Sequence, residues 1–124
     1  MEAVTTKTLH LFSGRHNREL ADAVAENLGI AGTEAHLSLF ANSETQCRFG
    51  ASVRVSDVFI IQSHSALDGR SVNDSNFEHL IMVDAARRAS AKRITAVMPF
   101  YGYGRQDRKS EGREPITARL VADL

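Results

Sequence analysis

Residues 57–63, Asp-Val-Phe-Ile-Ile-Gln-Ser, set four apolar side chains in a row. A strand with one wetted face alternates apolar and polar residues. An unbroken run is the mark of a strand covered on both faces, as in a parallel sheet. Residues 93–99, Arg-Ile-Thr-Ala-Val-Met-Pro, read the same way, as a buried strand closed by Pro99. Parallel neighbours need long crossovers, usually helices, and the sequence offers them. Residues 8–12 predict a short strand and residues 18–29 a helix, with Leu20, Val24 and Leu28 four apart, Asn17 as N-cap and Gly29 as stop. Residues 34–40 predict a second strand, and residues 44–57 a strand and a turn. Residues 72–89 turn helical, with Phe77, Leu80, Ile81, Asp84 and Ala85 on one face. Arg87 and Arg88 fall in the last turn, where cations suit the helix dipole. Pro115 opens a final helix carrying Ile116, Leu120 and Leu124. Strands alternating with helices give an α/β class, a mainly parallel sheet flanked by helices.

A chain of 124 residues, 43% hydrophobic, is one domain or part of one. It ends on an apolar stretch, residues 120–124, without a polar tail, so the expectation is a domain stopped partway through its fold. Lys plus Arg balances Asp plus Glu. With no global field to attract nucleic acid or an acidic membrane, neither is an expected partner, and any anion site must be local. Cys47 is the single cysteine. An internal disulfide is impossible and a reducing, cytoplasmic setting is expected; nothing nearby marks Cys47 as an activated thiol. The N-terminus lacks the basic head and apolar core of a signal peptide.

Ligands of an open parallel sheet sit at the carboxyl ends of its strands, and three loops leave such ends. Residues 12–17, Phe-Ser-Gly-Arg-His-Asn, can present backbone N–H groups to an anion or form an ordinary tight turn. Residues 40–45 gather Asn42, Ser43 and Glu44 in one turn, a grouping that also simply builds turns. Residues 101–115 are the most pointed. Arg105, Arg108, Lys109 and Arg113 alternate with Asp107, Glu111 and Glu114 directly after an apolar strand, and Tyr101 and Tyr103 flank glycines. A solvated surface loop has a similar composition. Arg forks beside aromatic faces and closely approachable backbone fit a nucleotide triphosphate better than a general polyanion, and the acids could hold each Arg in place. The five histidines, His10, His16, His36, His64 and His79, show no metal-ligand spacing and read as structural or surface groups.

Residues 12–30, 57–63, 72–109 and 112–124 together resemble the ribose-phosphate pyrophosphokinase (phosphoribosyl pyrophosphate synthetase) family, over nearly the whole chain. The resemblance implies a phosphoribosyltransferase-like fold, the first of two similar domains. It also implies transfer of the diphosphoryl group of ATP, with Mg²⁺, to ribose 5-phosphate in nucleotide biosynthesis. The Arg105-Gln106-Asp107 run matches the family's nucleotide-facing motif, and Arg108 and Lys109 match the basic pair after it, which could contact phosphate or an allosteric ligand. Phe40, Asn42, Ser43 and Glu44 match the turn that holds adenine, with Asn and Ser where the family has Asp and Gly. Phe40 would reach a neighbouring subunit's site, which implies a homo-oligomer. The loop between residues 63 and 72 runs a few residues longer than in the family, and Gly104 stands where an Ala is usual.

The family's Mg²⁺-associated His, its flexible catalytic loop and its ribose 5-phosphate loop have no counterpart in these residues. Catalytic residues and metal ligands are therefore expected outside this chain, which would supply the ATP-binding part and not turn over alone. The alternative is a non-catalytic regulatory or assembly module that associates with full-length subunits. A phosphate- or nucleotide-binding domain of unrelated origin would explain the loops but not the long match.

Overall fold

The computed structural model describes residues 8–30, 32 and 34–124; the N-terminal reading over residues 1–7 lies outside them. Five strands and three helices follow in order: β1 (Leu9–Ser13), α1 (Arg18–Leu28), β2 (His36–Leu39), β3 (Thr45–Arg48), β4 (Asp57–Ile61), α2 (Val72–Arg88), β5 (Arg93–Val97) and α3 (Thr117–Asp123). Strands β1, β4 and β5 form a parallel sheet with β4 central. Its register sets Leu11 beside Phe59 and Phe59 beside Thr95.

The unbroken apolar run of β4 is explained by burial on both faces. Val58 and Ile60 point into a core with Phe12, Met82 and Ala86 under α2. Ile61 points the other way, with Leu11, Ala21 and Ala25 under α1, and Phe59 packs against that second cluster. The period-two alternation of a strand thus feeds two clusters.

Four details differ from the sequence reading. Strands β2 and β3 stay out of the parallel sheet and pair antiparallel, His36 with Arg48 and Leu39 with Thr45. Only residues 40–44 separate them, too few for a crossover. Strand β5 is half-buried at most, because it is the outer strand of the described sheet. Helix α1 buries Ala21 and Ala25 rather than Leu20 and Leu28, the latter 61% exposed. The small pair lets the helix lie close on the sheet, which swings both leucines to the rim. Helix α2 is rotated by about one residue from the expected face. It buries Ser75, Asn76, Glu78, His79, Met82 and Ala86, and leaves Phe77 64% exposed. Polar groups displace apolar ones because each charged or imidazole group among them has partners inside.

Helix ends follow local chemistry. Ser71 caps α2 in a capping box, its hydroxyl accepting from the Asp74 N–H while the Asp74 carboxylate accepts from the Ser71 N–H. Asn17 is the N-cap residue of α1 but gives no side-chain cap; its amide donates to Ser63 Oγ instead. Gly29 ends α1 as expected. The apolar row of α3, Ile116, Leu120 and Leu124, is exposed.

Candidate functional site

The segments that leave β1, β4 and β5 at the carboxyl edge of the parallel sheet are stitched together by backbone bonds, whereas the turn at residues 40–44 joins β2 to β3 and does not leave that edge. Gly14 N–H donates to Ile61 O at 3.0 Å, Gln62 N–H to Val97 O at 3.0 Å, and His64 N–H to Phe100 O at 3.0 Å. The segment just past β4 therefore sets the height of both neighbouring loops. A side chain at Gly14 would overlap the Gln62 carboxamide and push it off its bonds to His16 N–H and Glu78.

Beneath these loops lies a buried ion cluster that hydrophobic periodicity could not reveal. Glu78, 0% exposed, accepts from Arg15 N at 3.0 Å, Arg15 Nε at 2.7 Å, Gln62 Nε2 at 2.7 Å and Arg70 Nη2 at 3.2 Å. Burial pushes the Glu78 carboxyl up, but the bonds from Arg15 and Gln62 and the Arg15 charge outweigh it and hold the group below its usual value. Of the two readings of the turn at residues 12–17, anion cradle or ordinary tight turn, its N–H groups leave the second: they are taken up inside the protein. Arg15 N–H is spent on Glu78 and His16 N–H on Gln62 Oε1. That turn is closed by the protein's own side chains.

A second buried chain of bonds runs beside the first. His79 Nε2 lies 2.9 Å from Ile60 O, His79 Nδ1 lies 3.1 Å from His64 Nε2, and Gly102 N–H donates to His64 Nδ1 at 2.9 Å. A carbonyl can only accept and a backbone amide can only donate. Both ends therefore impose the same tautomer: each imidazole is neutral with its proton on Nε2. Burial, with His79 and His16 adding to it, lowers the His64 pKa to about 4, and burial lowers that of His79 as well.

Above the relay, residues 100–106 wall a cleft of about 780 Å³ whose floor is the first turn of α2, Ser71 to Asn73. Arg105 and Gln106 line it. Arg105 is exposed, and among the described residues it forms no ion pair; Arg108 and Lys109 likewise. The acids of the loop do not grip these cations: Glu114 accepts from Ser110 N–H at 3.2 Å instead. Gln106 is fixed to the start of α3, its side-chain oxygen accepting from Thr117 Oγ1 at 2.7 Å and its backbone carbonyl from Ala118 N–H at 3.1 Å. Tyr103 holds a left-handed backbone, φ 69°, and its hydroxyl donates to Asn73 Oδ1.

The other predicted residues are placed as follows. Ser43 and Glu44 line an adjoining hollow of about 570 Å³ with Phe77 and Ile81, and Asn73 borders both hollow and cleft. Asn42 locks Glu44, donating to its carboxylate at 2.6 Å and accepting from its N–H at 3.1 Å. Phe40 stands 51% exposed at the hairpin tip, outside both, and Asp107, Arg108 and Lys109 are exposed beyond the cleft lining. Asn73, Glu78 and the His64–His79 pairing were not singled out from sequence; the Ser71-to-Asp74 spacing is a local signal that could have drawn attention to this helix start. Burial, then Glu78, push the half-buried Cys47 thiol up to about 11, so it is unactivated. No helix among the described residues is long and apolar enough to cross a membrane.

Comparison with known proteins covers this same span. Residues 9–124 match the family described as the N-terminal domain of ribose phosphate pyrophosphokinase. The chain is 54% identical over 118 residues to a ribose-phosphate pyrophosphokinase of Corynebacterium efficiens, and 49% identical over 119 residues to one of Caldanaerobacter subterraneus. These alignments cover 95% and 96% of the chain, which spans 35% and 36% of those relatives' length. It superposes on the crystal structure of phosphoribosylpyrophosphate synthetase from Mycobacterium smegmatis with a TM-score of 0.88 at 55% identity, covering 94% of this chain and 38% of that one.

Proposed function

The chain belongs to the ribose-phosphate pyrophosphokinase family through its N-terminal domain, and from that premise we propose that it supplies the ATP-binding part of such an enzyme. The observation that carries this is the cleft walled by residues 100–106, where Arg105 offers a guanidinium with no ion pair among the described residues. Arg105 grips the phosphates, a planar donor fork against their oxygens. Gln106, with its oxygen committed to Thr117, turns its amide nitrogen toward the nucleotide, and Asp107 orients Arg105 or Mg²⁺-bound water once ligand is present. Arg108 and Lys109, just outside, add phosphate or allosteric contacts.

The proposed reaction breaks the bond between the β-phosphorus of ATP and its bridging oxygen to the α-phosphate, and that oxygen leaves with AMP. The diphosphoryl group passes to the C1 hydroxyl oxygen of ribose 5-phosphate and AMP leaves. Such transfer depends on positioning and charge neutralisation. Among the described residues no cluster of three or more His, Cys, Asp or Glu is placed to hold a metal ion. Mg²⁺ is read as arriving with ATP, as part of the substrate, with its protein ligands mostly outside this chain. Ribose 5-phosphate contacts are assigned to the remaining length that the relatives have. Phe40, exposed and outside its own cleft, fits delivery of a ring to the adenine of a neighbouring copy, hence a homo-oligomer. The hairpin turn with Asn42, Ser43 and Glu44 goes with it. The cytoplasm is the proposed location, consistent with an unactivated lone cysteine.

A second reading, an assembly module for full-length subunits, is favoured by the exposed apolar row of α3; co-purification with such a subunit tests it. The main reading is tested by calorimetry. ATP binding that weakens about tenfold or more in Arg105→Ala supports it, since a charged hydrogen bond contributes about 1.5–3 kcal/mol. Equal or negligible heat for both proteins removes the site.

A further inference from the structure

The loop that carries Arg105 is clamped at both ends and tied between them by the Tyr103 hydroxyl, which donates to Asn73 Oδ1. At its far end Gln106 is bonded to Thr117 and Ala118, and Tyr101 Oη donates to Ala118 O at 2.6 Å. At its near end the clamp is one residue, His64. Its backbone N–H donates to Phe100 O and its Nδ1 accepts from the Gly102 N–H. Between the clamps the backbone is a succession of tight turns, Gly104 N–H to Tyr101 O at 3.3 Å and Gln106 N–H to Tyr103 O at 2.9 Å. A shift at residue 102 has no slack to absorb it before residue 105.

A core histidine that merely fills space has no need of a bare lone pair aimed at a backbone donor. Here that lone pair exists only because His79 accepts the His64 Nε2 proton, and His79 can accept only because Ile60 O takes its own. The relay starts on the central strand and ends on the loop. Gly102 is buried, and a Cβ there would meet Asn76 Nδ2 and, at 2.8 Å, His64 Cβ, so the loop sits hard against α2 and the root of the His64 side chain. Without the Nδ1 acceptor the Gly102 N–H would be a buried orphan donor.

We propose that His64, oriented by His79, is a positioning residue for the nucleotide loop: its Nδ1 lone pair fixes Gly102 and thereby sets where Arg105 and Gln106 meet the cleft. This rests on the nucleotide reading above. Two substitutions separate position from bulk. In His64→Asn the side-chain oxygen falls near the place of Nδ1 and keeps an acceptor for Gly102, while the partner of His79 is lost. In His64→Gln the amide nitrogen falls near Nε2, keeping the donor to His79 and losing the acceptor.

The test uses the full chain, ¹⁵N-labelled, at neutral pH. Ring ¹⁵N shifts of the wild type report the tautomer, and ATP titration with thermal midpoints is run on wild type and both variants. The expected result is a neutral His64 protonated on Nε2. His64→Gln should bind ATP about tenfold more weakly and His64→Asn within about threefold, with the midpoints of both lowered comparably, because an orphaned donor costs about 1–3 kcal/mol. A proton on Nδ1 in the wild type overturns the relay even if neither variant folds. ATP affinity equal in the two variants, or falling only in step with the midpoint, overturns the positioning role and leaves the nucleotide reading intact. Wild type that binds no ATP sinks that reading and this inference with it.

Discussion

Replacing Glu78 with Gln tests whether the internal ion cluster holds the ligand edge together. The wild-type carboxylate is 0% exposed and accepts four hydrogen bonds, two from Arg15 and one each from Gln62 and Arg70. Glu78 Oε1 faces Arg15 Nε and Arg70 Nη2, and Oε2 faces Arg15 N and Gln62 Nε2. Whichever oxygen becomes NH₂, two donors then point at a donor. The guanidiniums of Arg15 and Arg70, 27% and 16% exposed, also lose their shared counter-charge. Removing one partner of a buried pair costs about 3–5 kcal/mol, a large share of the roughly 5–15 kcal/mol a domain has. With a urea slope near 2 kcal/mol per molar, the unfolding midpoint should fall by about 2 M. The control is Asp84→Asn, which breaks the exposed Arg88–Asp84 pair at 2.8 Å and should cost about 0.3–0.5 kcal/mol. A Glu78→Gln shift no larger than the control would refute the cluster's role.

Two further outcomes follow from the same structure. The His64 pKa is about 4 in the fold against an ordinary 6.5, so between those values the unfolded chain binds a proton that the native one refuses. Stability present above pH 6.5 is therefore lost as pH falls toward 4, by about 3 kcal/mol from this group. His16 and His79 add in the same direction, and Glu78 adds further loss below its usual range; a thermal midpoint flat from pH 7 to 4.5 would contradict this. In α1, Ala25→Leu should cost about 1–3 kcal/mol by overpacking, whereas Leu28→Ser should stay within about 0.5 kcal/mol. Urea unfolding that ranks them the other way would restore the leucine stripe as the buried face.

The parallel sheet was legible because β4 is apolar on both faces, which no half-wetted strand tolerates. The loop after β5 stood out as a candidate because its charged residues follow directly on an apolar strand. What periodicity missed is polar burial. A carboxylate and an imidazole, Glu78 and His79, occupy the inner face of α2, where an apolar count sees only gaps, and Phe77 and Ile81 lie on other faces of the helix. The fate of the turn at residues 12–17 was equally invisible: its Arg15 N–H meets the carboxylate of Glu78, 63 residues along the chain, and its His16 N–H meets the Gln62 carboxamide. Long-range pairing of this kind leaves no local spacing to read.

The central claim is that the nucleotide's phosphates meet this chain at Arg105. It is tested most directly by a crystal structure with a non-hydrolysable ATP analogue. The account predicts triphosphate density in the cleft walled by residues 100–106, within hydrogen-bond distance of the Arg105 guanidinium. Density elsewhere, with Arg105 still turned to solvent, would contradict it.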